Sequence, residues 1–256
     1  MFIKRTNSTN TLLRELIAQG NPPDYIYAGF QTAGRGQKGN GWESEADKNL
    51  LCSILIDCQK VTDKNPFYLN VAVCVAVFRT AQAVLQRSGP TAKRSYSEAL
   101  SIKWPNDIYW QDKKVAGILI ENAIIGNEVK YSIAGIGLNV NQTKWQSNAP
   151  NPVSLKQIYG RDFGVEELMQ KLYAEVQHAL QEDVWKYYKA HLYRREGYWP
   201  FVEREVNTAP TMNAPSDAQG QFMARIIDVI SSGEIVLEDT QGQQRKYHFK
   251  QIRYIL

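Results

Sequence analysis

The run Gln31-Thr32-Ala33-Gly34-Arg35-Gly36-Gln37-Lys38-Gly39-Asn40-Gly41-Trp42 interleaves glycines with an arginine and a lysine and ends on an indole. Glycine at that density costs too much backbone entropy for a helix or strand interior, so the run reads as a long, mobile loop. Its N–H groups and cations suit a polyanion, with phosphate the obvious candidate. A plain surface connection is the alternative. A second cluster sets Lys103-Trp104-Pro105-Asn106-Asp107 ahead of Lys113-Lys114-Val115-Ala116-Gly117. A proline inside an otherwise good strand marks a bulge or an edge, both favoured near functional sites. The lysines could equally be solvated edge residues that deter strand pairing. A third stretch, Gly135-Ile136-Gly137-Leu138-Asn139, lets something approach the backbone closely. It is not a dinucleotide fingerprint, because no G-x-G-x-x-G opens a helix here. Ser8-Thr9-Asn10, preceded by Asn7, offers more cap-type side chains than one helix start needs, so some could face a ligand.

Strands and helices must hold these groups. Ser8 to Gly20 reads as a capped helix, with Leu12, Leu13, Leu16 and Ile17 as its stripe. Tyr25 to Gln31 is a strand feeding the glycine loop, and Asn49 to Asp57 alternates as a strand leaving it. Pro66 opens a helix running to about Arg87, and Gly89 to Glu98 is a polar connection. Leu100 to Trp110 is a strand interrupted at the proline. Val115 to Glu121 pairs with it as a hairpin, and Asn127-Glu128 turns into Val129 to Asn141. Val165 to about Tyr193 is helical. Thr208 to Gln221 is rich in Pro, Ala, Ser, Asp and Gly and marks a junction. Beyond it, Phe222 to Val229, Glu234 to Glu238 and Arg245 to Ile255 make the strand pattern of a small β-barrel, with an added strand near Val202 to Val206.

Composition narrows the class. The 256 residues suit one large domain and one small one, divided as 1–200 and 201–256. A formal charge of +4 is too mild for a dedicated DNA coat and fits cations used locally. The cysteines Cys52, Cys58 and Cys74 form no C-x-x-C pair and read as reduced thiols of a cytoplasmic protein. The scattered histidines make a histidine metal site improbable. The N-terminus turns polar at once, and the longest apolar run, Val71 to Phe78, falls short of the roughly 20 residues of a membrane span.

The ordered set of motifs resembles the biotin–protein ligases. Gly34 to Trp42 is similar to their biotin-binding loop. Lys103 to Asp107 with Lys113 to Glu121 is similar to their catalytic hairpin. Gly135 to Asn141 is similar to their nucleotide strand, and Ser8-Thr9-Asn10 to the motif that opens the catalytic domain. The resemblance implies an α+β fold, a mixed sheet with helices on one face as in class II aminoacyl-tRNA synthetases, plus an SH3-like C-terminal barrel. It implies biotinyl-5'-AMP made from biotin and ATP with Mg²⁺, then transfer to a lysine of a biotin carboxyl carrier domain. Lys114, Arg35 and Asp107 would be catalytic, the cations offsetting repulsion between a carboxylate and a triphosphate. Asp107 would steer or deprotonate the incoming lysine, or reach Mg²⁺. Ser8, Thr9, Asn10, Gln31, Gly34, Arg35, Gly36, Gln37, Lys114, Gly117 and Gly137 would bind biotin, with the flat ring against the last two glycines. Arg35, Asn40, Trp42, Lys103, Asn106 and Asn139 would bind ATP, Asn139 reading adenine; the metal ligands are unassigned.

Many relatives carry an N-terminal helix-turn-helix, for which Ser8 lies too close to Met1, so neither DNA nor membrane is an expected partner; a homodimer is left open. One departure stands out: the family loop often reads Gly-Arg-Gly-Arg, but Gln37 holds the second arginine position and Asn40 the later basic one. Two other readings compete. A lipoate or octanoate ligase of the same superfamily would need a different substrate loop. A nucleotide- or RNA-binding module would need a basic, aromatic face that Phe222 to Ile255 lacks.

Overall fold

Alternating apolar residues build the larger unit around a sheet. A computed structural model describes residues 1–63, 65–86, 96–126, 128–147, 151–204 and 220–256. The first unit, Met1–Tyr188, carries β1 (Phe2–Ile3), β2 (Tyr25–Ala28), β3 (Leu50–Asp57), β4 (Leu100–Lys103), β5 (Asp107–Trp110), β6 (Lys113–Ile125) and β7 (Glu128–Leu138). They form a seven-stranded sheet in the order β1-β2-β3-β7-β6-β5-β4. The β1–β2 pair is parallel and the other neighbours are antiparallel, so the sheet is mixed. β3 and β7 are central, and their partners bury both faces.

The helices of this unit are α1 (Thr9–Ala18), α2 (Pro66–Gln86), α3 (Leu155–Tyr159) and α4 (Val165–Ala179). Asn65 starts α2, its side-chain oxygen accepting from Phe67 N, and Pro66 takes the first turn. α2 packs on α4 and on β4 to β6 and is buried from Tyr68 to Phe78. By length and composition its 21 residues could cross a membrane, a property that Val71 to Phe78 alone understates; the burial marks α2 as a core helix. The short α1 lies on the opposite sheet face, where Leu13 meets Ile26 and Ile133. Burying a leucine there contributes about 2 kcal/mol.

The expected helix over Val165 to Tyr193 is broken. α4 ends at Ala179, and Asp183 accepts from Trp185 N to start α5 (Trp185–Ala190). The second unit is Lys189–Leu256. In it β8 (Trp199–Glu203) pairs with β9 (Gln221–Val229) and β12 (Ile252–Tyr254). With β10 (Ile235–Asp239) and β11 (Gln244–Tyr247) these strands form a five-stranded antiparallel sheet, β11-β10-β9-β8-β12, consistent with an SH3-like fold. The single strand expected over Arg245 to Ile255 is therefore two strands on opposite edges, separated by a reversal in which Lys250 has φ 79°. The expected Asn127 turn, most of the Gly89 to Glu98 connection, the Thr208 to Gln221 junction up to Gln219 and the strand residues near Val206 lie outside the described residues.

Candidate active site

Residues 6–7 and 31–33 run side by side. Thr32 N donates to Thr6 O at 2.9 Å and Ala33 N to Asn7 O at 2.8 Å. That pairing brings the start of α1 against the glycine loop. Ser8 is the N-cap by position but makes no side-chain cap bond. Gln31 Oε1 instead accepts from Thr9 N at 2.7 Å and Thr9 Oγ1 at 3.1 Å. Thr9 thus ties the start of α1 to Gln31 at the head of the glycine loop. The glycine loop has local structure of its own. Trp42 N donates to Gly34 O and Gly36 N to Asn40 O, folding it into a small hairpin closed by a 3₁₀ turn at Gln37–Gly39. Gly39 at the turn has φ 87°, where a side chain would be strained.

The glycines of the sheet are approached, as expected, but by the chain itself. A Cβ on Gly137 would collide with the indole of Trp42, and one on Gly117 would lie 2.9 Å from it. Gly117 and Gly137 are cross-strand partners on β6 and β7, so together they form a shelf for that ring. Trp42 covers the shelf expected to receive the biotin ring. Gly135 likewise admits the Asn10 amide. Asn10 Oδ1 accepts from Ser53 Oγ at 2.6 Å and its Nδ2 donates to Glu121 at 2.6 Å.

The expected strand interruption at Trp104-Pro105-Asn106 is a chain reversal, with Lys103 directly across from Asp107. The peptide bond Trp104–Pro105 is cis. Buried donors hold this turn: Pro105 O accepts from Asn70 Nδ2 at 2.6 Å, Tyr188 Oη at 3.1 Å and, more weakly, Cys74 Sγ. Asn106 Nδ2 donates to Ile118 O and Ile118 N to Asn106 O. Asn106 therefore ties the turn to β6. We expect Asn70→Ala to cost about 1–3 kcal/mol, since a buried hydrogen bond is lost; an unchanged urea midpoint would contradict that.

The turn delivers Asp107 to Lys114, with Lys114 Nζ 2.8 Å from Asp107 Oδ1 and 5.5 Å from the Trp42 ring centre. The side chains remain 32% and 22% exposed, so both can meet a ligand. Lys103 Nζ lies 3.0 Å from Tyr109 Oη. Asn139 is 2% exposed; its Nδ2 donates to Lys114 O, while its Oδ1 is buried without a partner. An orphaned acceptor costs stability unless a ligand donor reaches it. Asn40 is exposed and closes the 3₁₀ turn of the loop. Gly34 and Gly36 shape the loop, and Gln37 sits half-buried in its turn.

Arg35 does not stand alone. Its guanidinium lies 3.3 Å from Glu121 Oε2 and 3.2 Å from Thr11 Oγ1. Glu121 also pairs with Arg14 at 3.1 Å and accepts from Asn10. Sequence reasoning assigned no role to Glu121 or Ser53. The available signal was polarity: each is a polar residue within a strand of largely apolar sequence. Burial pushes the Cys52 and Cys74 thiols up, which suits inert core residues rather than nucleophiles. Among the described residues, no cluster of His, Cys, Asp and Glu could by itself hold a metal ion.

The family model for the biotin/lipoate A/B protein ligases matches residues 2–139, and the chain belongs to that family. It is 25% identical over 211 residues to the bifunctional ligase/repressor BirA of Escherichia coli, covering 82% of this chain and 59% of that protein. It is 32% identical over 142 residues to the biotin–[acetyl-CoA-carboxylase] ligase of Mycobacterium tuberculosis, covering 55% of this chain and 48% of that one. This chain thus spans less than two thirds of either relative. The fold matches the biotin protein ligase of Aquifex aeolicus, solved with biotin and ATP, with a TM-score of 0.74 at 20% identity, over 100% of this chain and 98% of that one.

Proposed function

We propose that the chain is a biotin–protein ligase. It joins the biotin carboxylate to the α-phosphate of ATP, releasing pyrophosphate, and passes the biotinyl group to an acceptor lysine with loss of AMP. The observation that carries the reading is Lys114, an ammonium fixed beside Asp107 at the edge of the Trp42-covered glycine shelf. An ammonium has three donors, so Lys114 can keep Asp107 and still bind the meeting carboxylate and phosphate. Asp107 then lies where an incoming amine must shed its proton, and accepts it while AMP leaves. Arg35 reaches the phosphates after exchanging Glu121 for the ligand. Thr9, Asn10 and Gln31 orient biotin, and Asn139 Oδ1 suits the adenine amino group. Asp107 would be the carboxylate of this group available to Mg²⁺, which the phosphates would chiefly hold and which would help neutralise their charge. The relatives' printed substrates favour biotin, and their names point to a biotin carrier domain as acceptor. The mild charge of this chain fits action without sequence-specific DNA contacts.

The test of transfer is the mass of a biotin carboxyl carrier domain incubated with the protein, biotin and ATP. A gain of one biotinyl group on lysine is expected; an unmodified carrier alongside accumulated adenylate would refute transfer.

Gln37 gives a second expectation. Glutamine supplies hydrogen bonds but no charge where relatives often hold arginine. Gln37→Arg should slow release of biotinyl-AMP by roughly one charge-assisted hydrogen bond, about 1–2 kcal/mol. Unchanged or faster release, measured at low and moderate salt, would show that other groups close the loop.

A further inference from the structure

Directly after Trp42, the Glu43 carboxylate reaches a loop nearly a hundred residues on in sequence. Glu43 Oε1 accepts from Gln146 N at 2.7 Å and Oε2 from Ser147 N at 2.8 Å; Gln142 Nε2 lies 3.4 Å from Oε1. The junction continues on both sides. Gln142 Oε1 accepts from Glu45 N at 2.9 Å and Asn49 Nδ2 at 2.6 Å, and Asn141 N donates to Lys48 O at 2.8 Å. A carboxylate gripping consecutive backbone N–H groups is a strong, directional contact. Burial raises the Glu43 pKa, but the hydrogen bonds from Ser147, Gln146 and Gln142 outweigh it and hold the group below its usual range. The carboxylate is therefore ionised at neutral pH.

The two joined segments share a second property. Trp42 on one and Trp145 on the other each bury an indole N–H that has no acceptor. Such donors are costly unless a ligand oxygen meets them. Trp42 in turn rests on Gly117 and Gly137, with Lys114 against its ring.

We infer that Glu43 is a positioning residue: by tying the stem of the glycine loop to residues 146–147, it holds Trp42 over the shelf and so retains the acyl-adenylate. The inference rests on the ligase reading above, and Glu43 itself touches no reacting atom. It acts through Trp42, which a carboxylate in the neighbouring position fixes in place. Neither a cap-type motif nor the glycine pattern announces it, because its partners are backbone groups of a distant loop.

The test separates the junction from the chemistry. In ligand-free protein, NMR amide exchange at Gln146 and Ser147 should accelerate on the order of tenfold or more in Glu43→Ala, and less in Glu43→Gln, which keeps one acceptor oxygen. With biotin and ATP but no acceptor, Glu43→Ala should release the adenylate on the order of tenfold faster, with Glu43→Gln intermediate and thermal midpoints close to wild type. Unchanged amide exchange would overturn the junction. Faster amide exchange with an unchanged adenylate lifetime would overturn the positioning role. A wild type that forms no adenylate at all would overturn the ligase reading instead, with the amide result still standing.

Discussion

Lys114→Ala should lose biotin-dependent adenylation by on the order of 10²-fold or more while remaining folded, because a charged donor acting on the transition state is worth a few kcal/mol. Removal of the ammonium does more than delete a donor. It leaves Asp107, now without the cation 2.8 Å away, facing the point where two further anions must meet. The neighbouring Lys113 cannot take over: successive strand residues point to opposite faces, and Lys113 pairs across from Trp110 while Lys114 pairs across from Tyr109. Stability should change little, since the pair is partly solvated and such bridges contribute at most about 1 kcal/mol. Steady-state exchange and a thermal melt on the same sample check both statements. Near-normal exchange would reduce Lys114 to an edge residue.

Gly137→Ala is the second large effect. Gly137 does not have positive φ, so alanine suits the backbone and the strand should persist. The added methyl, however, lands on the Trp42 indole. The ring must lift from the shelf, carrying with it the cover over Lys114 and Gly117. Misplacement of a site by about an ångström can cost on the order of 10²-fold in rate, and a loss of that size in kcat/KM is expected with little change in urea midpoint. Full activity would mean that Trp42 takes no part in covering the substrates. A collapse of stability would instead mean that the strand cannot accept the methyl.

What was legible in the sequence was the chemistry that local residue type encodes. Gly34 to Trp42, the Pro105 interruption and the glycine pair on β7 could be named because proline and glycine are unusual where they stand, whereas Lys114 was singled out only by the resemblance of its hairpin. Alternation made β3 legible, and β2, β6 and β7 were also read as strands. The short β1 was not, and β4 and β5 were read as one interrupted strand. α2 was legible through Asn65-Pro66 and its apolar faces. What the glycines accommodate was not legible. Glycine says only that something comes close, and the visitors, Asn10 at Gly135 and Trp42 at Gly137, come from segments far away in sequence. Glu121 reads as the polar end of a strand until the fold gathers Asn10, Arg14 and Arg35 around it. The break between α4 and α5 hid for a related reason: apolar spacing continues across it, and the stop depends on Asp183 capping a new start. The split of the last strand into β11 and β12 likewise reflects pairing with opposite edges of a sheet, which no local pattern records.

The choice of acid that this site activates is the central question. Pyrophosphate exchange into ATP, measured with biotin, lipoate or octanoate as the sole acid, reads that choice before any acceptor protein is involved. Exchange should depend on biotin, be lost in Lys114→Ala, and be absent with the other two acids. Exchange supported by lipoate or octanoate and not by biotin would contradict the biotin reading.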